Sequence, residues 1–445
     1  MILRASLVVA DAEGTLFAPG ALRLGEGANS GRILYAAPAS QLSAAPDEEV
    51  LNVGEAWIIP GLVQAHIHFS QTLFRGLAEG VELLPWLKDR IWPLEAAHDR
   101  ASVRASARQT IAELLLSGAT AALTMETSHH SDAVFEACHE LGMRAAVGPA
   151  LMDFTHKNIP PRLVRNGEEA LAEVVELHQL WSERSAGRVR ACLAPRFVLS
   201  CTEDLLLRSA EIAQRHNLIW HTHASENDYE TQKVRSVTGH DNVDYFEHLG
   251  ILSENCSLAH GIWLTTDEIA LIARRKAALL HCPSTNLKLG SGIANTPAMH
   301  EAGVHIAIGS DGAPANNRLD VFEEMRLAGL LSQWKTTPGK VKARDVFGWA
   351  TSGGAKALGL AGEIGVLKKG ACADFVVLAP GFFCGSLADP DLVYTHLVFG
   401  ASSCDVRETW VSGVQLVKDH RLLHDSESEI AREYSARQRE LLARL

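Results

Sequence analysis

Eight short apolar runs, each ending in polar or ionisable residues, constrain this chain more than any other feature. They are "GLVQAHIHF", "GATAALTM", "RAAVGPAL", "RVRACLAP", "NLIWHTH", "CSLAHG", "AALLHCP" and "HIAIGSD". Between them, stretches such as "DRASVRASARQTIAELLLSG" and "TEDLLLRSAEIAQRH" space their apolar residues at the period of an amphipathic helix. Apolar strands alternating with helices place the strands in a parallel sheet covered on both faces. Eight such units over roughly 250 residues predict an α/β fold of the (β/α)8, TIM-like barrel type. A doubly wound open sheet is the competing architecture, because periodicity does not separate the two.

The ends have another texture. Residues 1–58 alternate short strands with Gly and Asp turns, as in "LRLGEGANSGRILYAAP". Residues 364–445 return to it in "ADFVVLAP" and "VRETWVSGVQLVKDHRLL". The expectation is a small β-sandwich-like domain composed of 1–58 and 364–445, flanking a catalytic barrel over 59–363. The last stretch, "SEIAREYSARQRELLARL", reads as an exposed, charged helix.

In a barrel every C-terminal strand end faces one mouth. His66 and His68 close the first run, on one face because strand side chains alternate. His221 and His223 close the fifth, His260 the sixth and Asp311 the eighth. Taken alone, a His-x-His pair reads best as two packed histidines. Gathered at one mouth, histidines and an aspartate match the nitrogen and oxygen ligands of a zinc-type site. Glu226 follows His223 by three residues. It reads equally as a proton shuttle beside a metal or as a surface glutamate favoured at a helix N-terminus.

A net charge of −12 disfavours nucleic acid as a partner, since phosphate binding needs a basic face. No apolar run is long enough to span a membrane. The first residues, "MILRASLVVADAEGT", read as a strand rather than a signal peptide. The eight cysteines are scattered without a Cys-x-x-Cys pair, which favours reduced thiols and a cytoplasmic location. The absence of Pro-Cys-x-x-Cys also argues against a cytidine-deaminase type of zinc site.

The set "PGLVQAHIH", "HTHASE", "LAHG", "HCPSTNLKLGSG" and "GSDGAPANNRLDVFEEMRLA" resembles the amidohydrolase superfamily. Within it, the set is most similar to the branch of adenosine-type deaminases, guanine deaminases and triazine chlorohydrolases. The resemblance covers nearly the whole chain. It implies a distorted barrel with one divalent metal, Zn2+ by preference and Fe2+ or Mn2+ as alternatives. It implies His66, His68, His223 and Asp311 as ligands, with His221 in support. His260 would hold the attacking water or the developing oxyanion. Glu226 would pass a proton to a ring nitrogen, and Asp311 would share in proton transfer. Binuclear relatives carry a lysine at strand four; here that strand ends in "APRF", which implies a mononuclear site. The resemblance also implies a homo-oligomer.

For the substrate the signals are mixed. Gln71 lies just past the first ligand pair. Trp86 and Glu95 in "LLPWLKDRIWPLE" resemble nucleoside deaminases, in which the glutamate binds ribose hydroxyls. They read equally as a core anchor and a solvated helix residue. Arg196 and Phe197 are similar to the Arg-Phe pair with which guanine deaminases hold the base, where the adenosine-type pattern has a histidine. Asn286 and Lys288 are candidates to line the mouth, Lys288 reading equally as an exposed loop charge.

The favoured function is hydrolytic deamination of an adenosine-type nucleoside: 5′-deoxyadenosine, methylthioadenosine or S-adenosylhomocysteine. The alternatives are a guanine, aminopurine or pterin deaminase, a triazine chlorohydrolase, and a non-catalytic barrel that only binds.

Overall fold

The computed structural model describes residues 1–156, 158–381 and 385–445. Each apolar run contains a strand: β1 (Leu62–Ile67), β2 (Ala119–Met125), β3 (Arg144–Gly148), β4 (Val189–Ala191), β5 (Trp220–Ala224), β6 (Cys256–His260), β7 (Ala278–His281) and β8 (His305–Ile308). They pair in parallel and in chain order, as one group from β1 to β4 and another from β5 to β8. Past β3 and β4, the short strands Ala150–Leu151 and Ala194–Pro195 continue the pairing.

The two groups meet at both edges. A parallel bridge joins Leu193 to Trp220, between β4 and β5. Between β8 and β1, the Asp311 amide donates to the His66 carbonyl at 3.0 Å. Beside it, the Ser310 amide donates to Gln64 Oε1 at 2.9 Å.

The strands are buried along almost their whole length, as expected when helices cover the outer face. The helix Arg100–Leu116 shows how the sequence sets this up. Asp99 accepts from the Ser102 amide at 2.8 Å, and Ser102 Oγ accepts from the Asp99 amide at 2.9 Å. This reciprocal cap satisfies two amides that the first turn leaves free. Val103, Ala107, Ile111 and Leu114 then form a buried stripe at helical spacing.

Both chain ends enter one seven-stranded sheet. Phe375–Leu378 pairs antiparallel with Trp57–Pro60, which pairs in parallel with Leu7–Val9. The boundary drawn from sequence at 58/59 therefore falls inside a strand of this sheet. A four-stranded sheet, Ile33–Pro38, Gly20–Leu24, Ile2–Ala5 and Val50–Asn52, lies beside it. Leu3 and Leu22 from one sheet share a buried cluster with Val8, Ile58, Phe375 and Trp410 from the other. Arg144 at the start of β3 is tied to this assembly by a buried ion pair with Asp374 at 2.7 Å.

The C-terminal helix, Glu427–Leu442, is charged, as the sequence suggested, but not free-standing. Ile430 and Leu441 are buried, and Arg108 pairs with Asp425 and Glu433. Tyr434 and Gln438 donate to the carbonyls of Thr72 and Leu73 at 3.0 and 2.7 Å. That contact steadies the turn that follows His68.

Candidate active site

One donor atom from each of His66, His68, His223 and Asp311 lies within 4.8 Å of the others. His68 Nε2 and His66 Nε2 stand 3.0 and 3.3 Å from Asp311 Oδ1. The backbone fixes which nitrogen each ring presents. His68 Nδ1 donates to the Met125 carbonyl, and His223 Nδ1 donates to the Arg196 carbonyl at 2.7 Å. A carbonyl only accepts, so both rings carry the proton on Nδ1 and turn an Nε2 lone pair inward.

His66 reaches the same state through a second ring. His221 Nδ1 donates to the Ser257 carbonyl at 3.0 Å. Its Nε2 is then an acceptor, and takes the His66 Nδ1 proton at 2.9 Å. His66 Nε2 is left buried with no aligned hydrogen-bond partner among the described residues. Three imidazole lone pairs and a carboxylate facing one another in a buried place fit a divalent metal ion. Asp311 and His260 adopt φ of 61° and 75°, a region that side chains other than glycine seldom enter and that clusters at functional sites.

Around this cluster sit further buried ionisable groups. Glu226 Oε2 is 3.6 Å from His260 Nε2. Burial and the nearby Asp311 carboxylate hold Glu226 well above the ordinary carboxylate range. His260 Nδ1 donates to Asn286 Oδ1 at 3.0 Å, which leaves His260 Nε2 as an acceptor.

The chamber is narrow and largely enclosed. Its walls include Gln71, Trp86, Arg196, Phe197, Glu226, His260 and Asp311. Phe197 also lines a neighbouring groove of about 960 Å3. The helical stretch Leu83–Ala96 divides the two, with Leu83, Trp86 and Leu87 on the chamber and Leu84, Lys88 and Trp92 on the groove. Its middle, Leu87–Ile91, is π-helical, a distortion common at functional positions.

Two expected substrate residues stand behind this wall. Glu95 is not solvated and does not line the chamber; it is 3% exposed and ion-paired with Arg196 at 2.6 Å. Asn286 is buried against His260, so it orients that ring instead of lining the mouth. Lys288 is paired with Glu79 at 2.8 Å.

The sequence reading passed over two buried acids. Glu126, just past β2, accepts from the amides of Phe69 and Ser70 at 3.1 and 2.7 Å and so holds the turn after His68. Its strand-end position was the available signal. Glu230 lines the chamber and accepts from the Glu226 amide at 3.1 Å. Burial and the adjacent Glu226 raise its pKa to about 8. Its signal was its place one helical turn after Glu226.

A parallel α/β scaffold that gathers three imidazoles and a carboxylate over its strand ends has the build of a metal-dependent hydrolase. Residues 57–416 match the amidohydrolase family, and the chain belongs to that family. It is 34% identical over 437 residues to the 5-methylthioadenosine/S-adenosylhomocysteine deaminase of Syntrophobacter fumaroxidans, across 97% of this chain and 95% of that one. A protein of the same name from Halobacterium salinarum is 34% identical over 423 residues, 94% of this chain and 95% of its own. Among solved structures, an adenosine deaminase from Xanthomonas campestris with bound zinc has a TM-score of 0.88 at 27% identity, covering 99% of this chain and 98% of that one. The guanine deaminase of E. coli has a TM-score of 0.82 at 25% identity, covering 94% and 99%. Atrazine chlorohydrolase from Arthrobacter aurescens TC1 has a TM-score of 0.89 at 22% identity over 98% and 99%, a likeness of fold alone.

Proposed function

We propose that this chain is a metal-dependent aminohydrolase that removes the amino group of an adenosine-type nucleoside as ammonia. Its substrate class is 5′-deoxyadenosine, methylthioadenosine or S-adenosylhomocysteine, the last two matching the names of the relatives above. The observation that carries the reading is Glu226, a buried acid 3.6 Å from His260 in the chamber of the His66, His68, His223 and Asp311 cluster.

A divalent ion held by those four residues would supply an activated water. The chain's own groups do the rest. His260 Nε2 accepts a hydrogen bond from the attacking water and aims it at the amino-bearing ring carbon. Glu226 donates its proton to the adjacent ring nitrogen, so negative charge does not build up there. Asp311 takes the proton that the water gives up. Asp311 then passes that proton to the amine, which departs as ammonia, and the new hydroxyl returns a proton to Glu226 as the carbonyl forms. Burial of all three groups excludes competing solvent.

The second reading is deamination of guanine, a related aminopurine or a pterin. One observation favours it: Arg196 and Phe197 line the chamber while Glu95 does not. Dechlorination of a triazine has less support, because a held proton matters most for a poor leaving group.

The same reading takes the eight strands as one distorted closed barrel over 59–363, and the ends 1–58 and 364–445 as one β-sandwich-like domain. It takes Gln71, Trp86, Arg196 and Phe197 as the substrate wall. It places the enzyme in the cytoplasm as a homo-oligomer; the described cysteines are all free, and no described helix is long and apolar enough to cross a membrane.

The test is ammonia release by zinc-loaded protein across 5′-deoxyadenosine, methylthioadenosine, S-adenosylhomocysteine, guanine, a pterin and an aminotriazine, with chloride release followed from a chlorotriazine. Ammonia from the adenosine set is expected. Ammonia from guanine or pterin alone would replace the first reading with the second. Chloride without ammonia would overturn both.

A further inference from the structure

Glu95 and Arg196 entered as rival guides to the substrate, one pointing to a sugar and the other to a base. In the structure each is the other's partner. Arg196 Nη1 donates to Glu95 Oε2 at 2.6 Å, and Arg196 Nη2 donates to Glu95 Oε1 at 3.1 Å. Gln71 Nε2 donates to the same Oε1 at 2.9 Å. The two ionic side chains are 4% and 1% exposed, so this is a forked pair away from water. Arg196 and Gln71 line the chamber; Glu95 stands behind them and holds both.

Two consequences follow from the bonding. The first concerns charge. A guanidinium with no counter-ion would draw anions into the chamber, but here its charge is cancelled by Glu95. Two of its five N–H groups are committed to Glu95, and the rest are donors on a neutral unit. The second concerns direction. With Nε2 turned to Glu95, Gln71 Oε1 is buried without a donor among the described residues. It packs against Gly312, where an added Cβ would lie 2.1 Å from it. The wall therefore offers N–H donors and one unsatisfied acceptor, with no net charge.

We propose that Glu95 is a positioning residue and not a sugar ligand: it clamps Arg196 and Gln71 into a neutral donor–acceptor wall that takes an uncharged amidine or amide edge of a heteroaromatic base. The proposal rests on the deaminase reading for its substrate, but the clamp stands on the geometry alone. A ribose diol reaches Glu95 only by breaking a buried ion pair. A carboxylate gains nothing from an arginine already neutralised, and meets Glu226 and Asp311 in the same chamber.

The experiment uses the full chain with Glu95→Gln, Arg196→Gln and the double variant. Melting temperatures need no turnover. Glu95→Gln is expected to be the least stable, because it buries an unpaired guanidinium, and the double variant, with two amides facing each other, to recover part of the loss. Independent, additive shifts would overturn the clamp. Millimolar formate is expected to raise the melting temperature of Glu95→Gln and leave the wild type unmoved. Equal responses would overturn the neutralised wall.

In kinetics, KM for adenosine is expected to rise about tenfold or more in Glu95→Gln with a much smaller change in kcat. The preference for adenosine over 2′,3′-dideoxyadenosine is expected to stay within about twofold of wild type, as uniform loss of binding requires. A strong wild-type preference that collapses in the variant would make Glu95 a sugar ligand and sink the proposal. If no nucleoside or base releases ammonia while the melting cycle shows coupling, the deaminase reading fails and the clamp survives.

Discussion

His221 Nε2 lies 2.9 Å from His66 Nδ1, and this contact sets which nitrogen His66 offers to the site. The Ser257 carbonyl sets the His221 tautomer, and His221 sets that of His66. Removing His221 frees His66 to turn or to protonate at Nε2. His221→Ala should weaken zinc affinity by about 10–100-fold, measured by chelator competition. His221→Gln should recover much of it, since an amide can accept from His66 and donate to Ser257. Wild-type affinity in His221→Ala would remove this relay from the account.

Asn286 acts on the other side of the cluster. Its Oδ1 accepts from His260 Nδ1 at 3.0 Å and keeps Nε2 an acceptor. In Asn286→Ala the ring is free to change tautomer. Turnover should fall by about tenfold or more with KM and zinc content little changed. A rise in KM with kcat intact would mean that Asn286 touches substrate after all.

Glu324 gives a pH signature away from the metal ligands. It is buried, accepts from the Ser284 amide and from Asn316 Nδ2 at 3.1 and 2.8 Å, and burial raises its pKa to about 7. A carboxyl raised on folding stabilises fully below its unfolded pKa, and that contribution is lost as pH rises through about 7. Glu324→Gln cannot ionise. The variant's melting temperature, taken relative to wild type, should therefore climb between pH 5 and pH 8. A flat difference over that range would contradict the buried, raised carboxyl.

Asp374 joins the sheet of the chain ends to β3 through Arg144. It accepts from Arg144 Nε and Nη2 at 2.7 and 3.1 Å, and from the Ser412 amide at 2.7 Å. Asp374→Ala leaves a guanidinium buried without its partner. Urea unfolding should show a loss of about 3–5 kcal/mol, with zinc content unchanged before the transition. A loss within experimental error would mean that the two parts are not held together here.

Much of this was legible locally. A strand that is apolar on both faces leaves a run in the sequence, and so all eight runs could be found without knowing what they pack against. His66 and His68, or His223 and Glu226, are neighbours in sequence, and parallel strands send their C-terminal ends to one side of the fold. The partnerships across the chain were not legible. Glu95 and Arg196 are 101 residues apart, and nothing in "IWPLE" or "APRF" says that one neutralises the other. Asn286 was legible as a residue near the site, but its bond to His260 was not, for the same reason. The C-terminal helix looked exposed because only Ile430 and Leu441 are buried, too few for a periodic signal. The junction at 58/59 falls within Trp57–Pro60, a strand of the end sheet that leads directly into β1, so no change of texture marks where one part passes into the other.

The central claim is that Glu226 delivers a proton to a ring nitrogen while a metal-bearing cluster beside it stays intact. The direct measurement is ammonia release from 5′-deoxyadenosine by wild type, Glu226→Gln and His66→Ala, with zinc content determined on the same samples. The account predicts one ammonia per substrate consumed by wild type. It predicts a zinc-replete Glu226→Gln slower by about 10²–10⁴-fold, and a His66→Ala that neither holds zinc nor turns over. Wild-type turnover by Glu226→Gln with its zinc in place would contradict it.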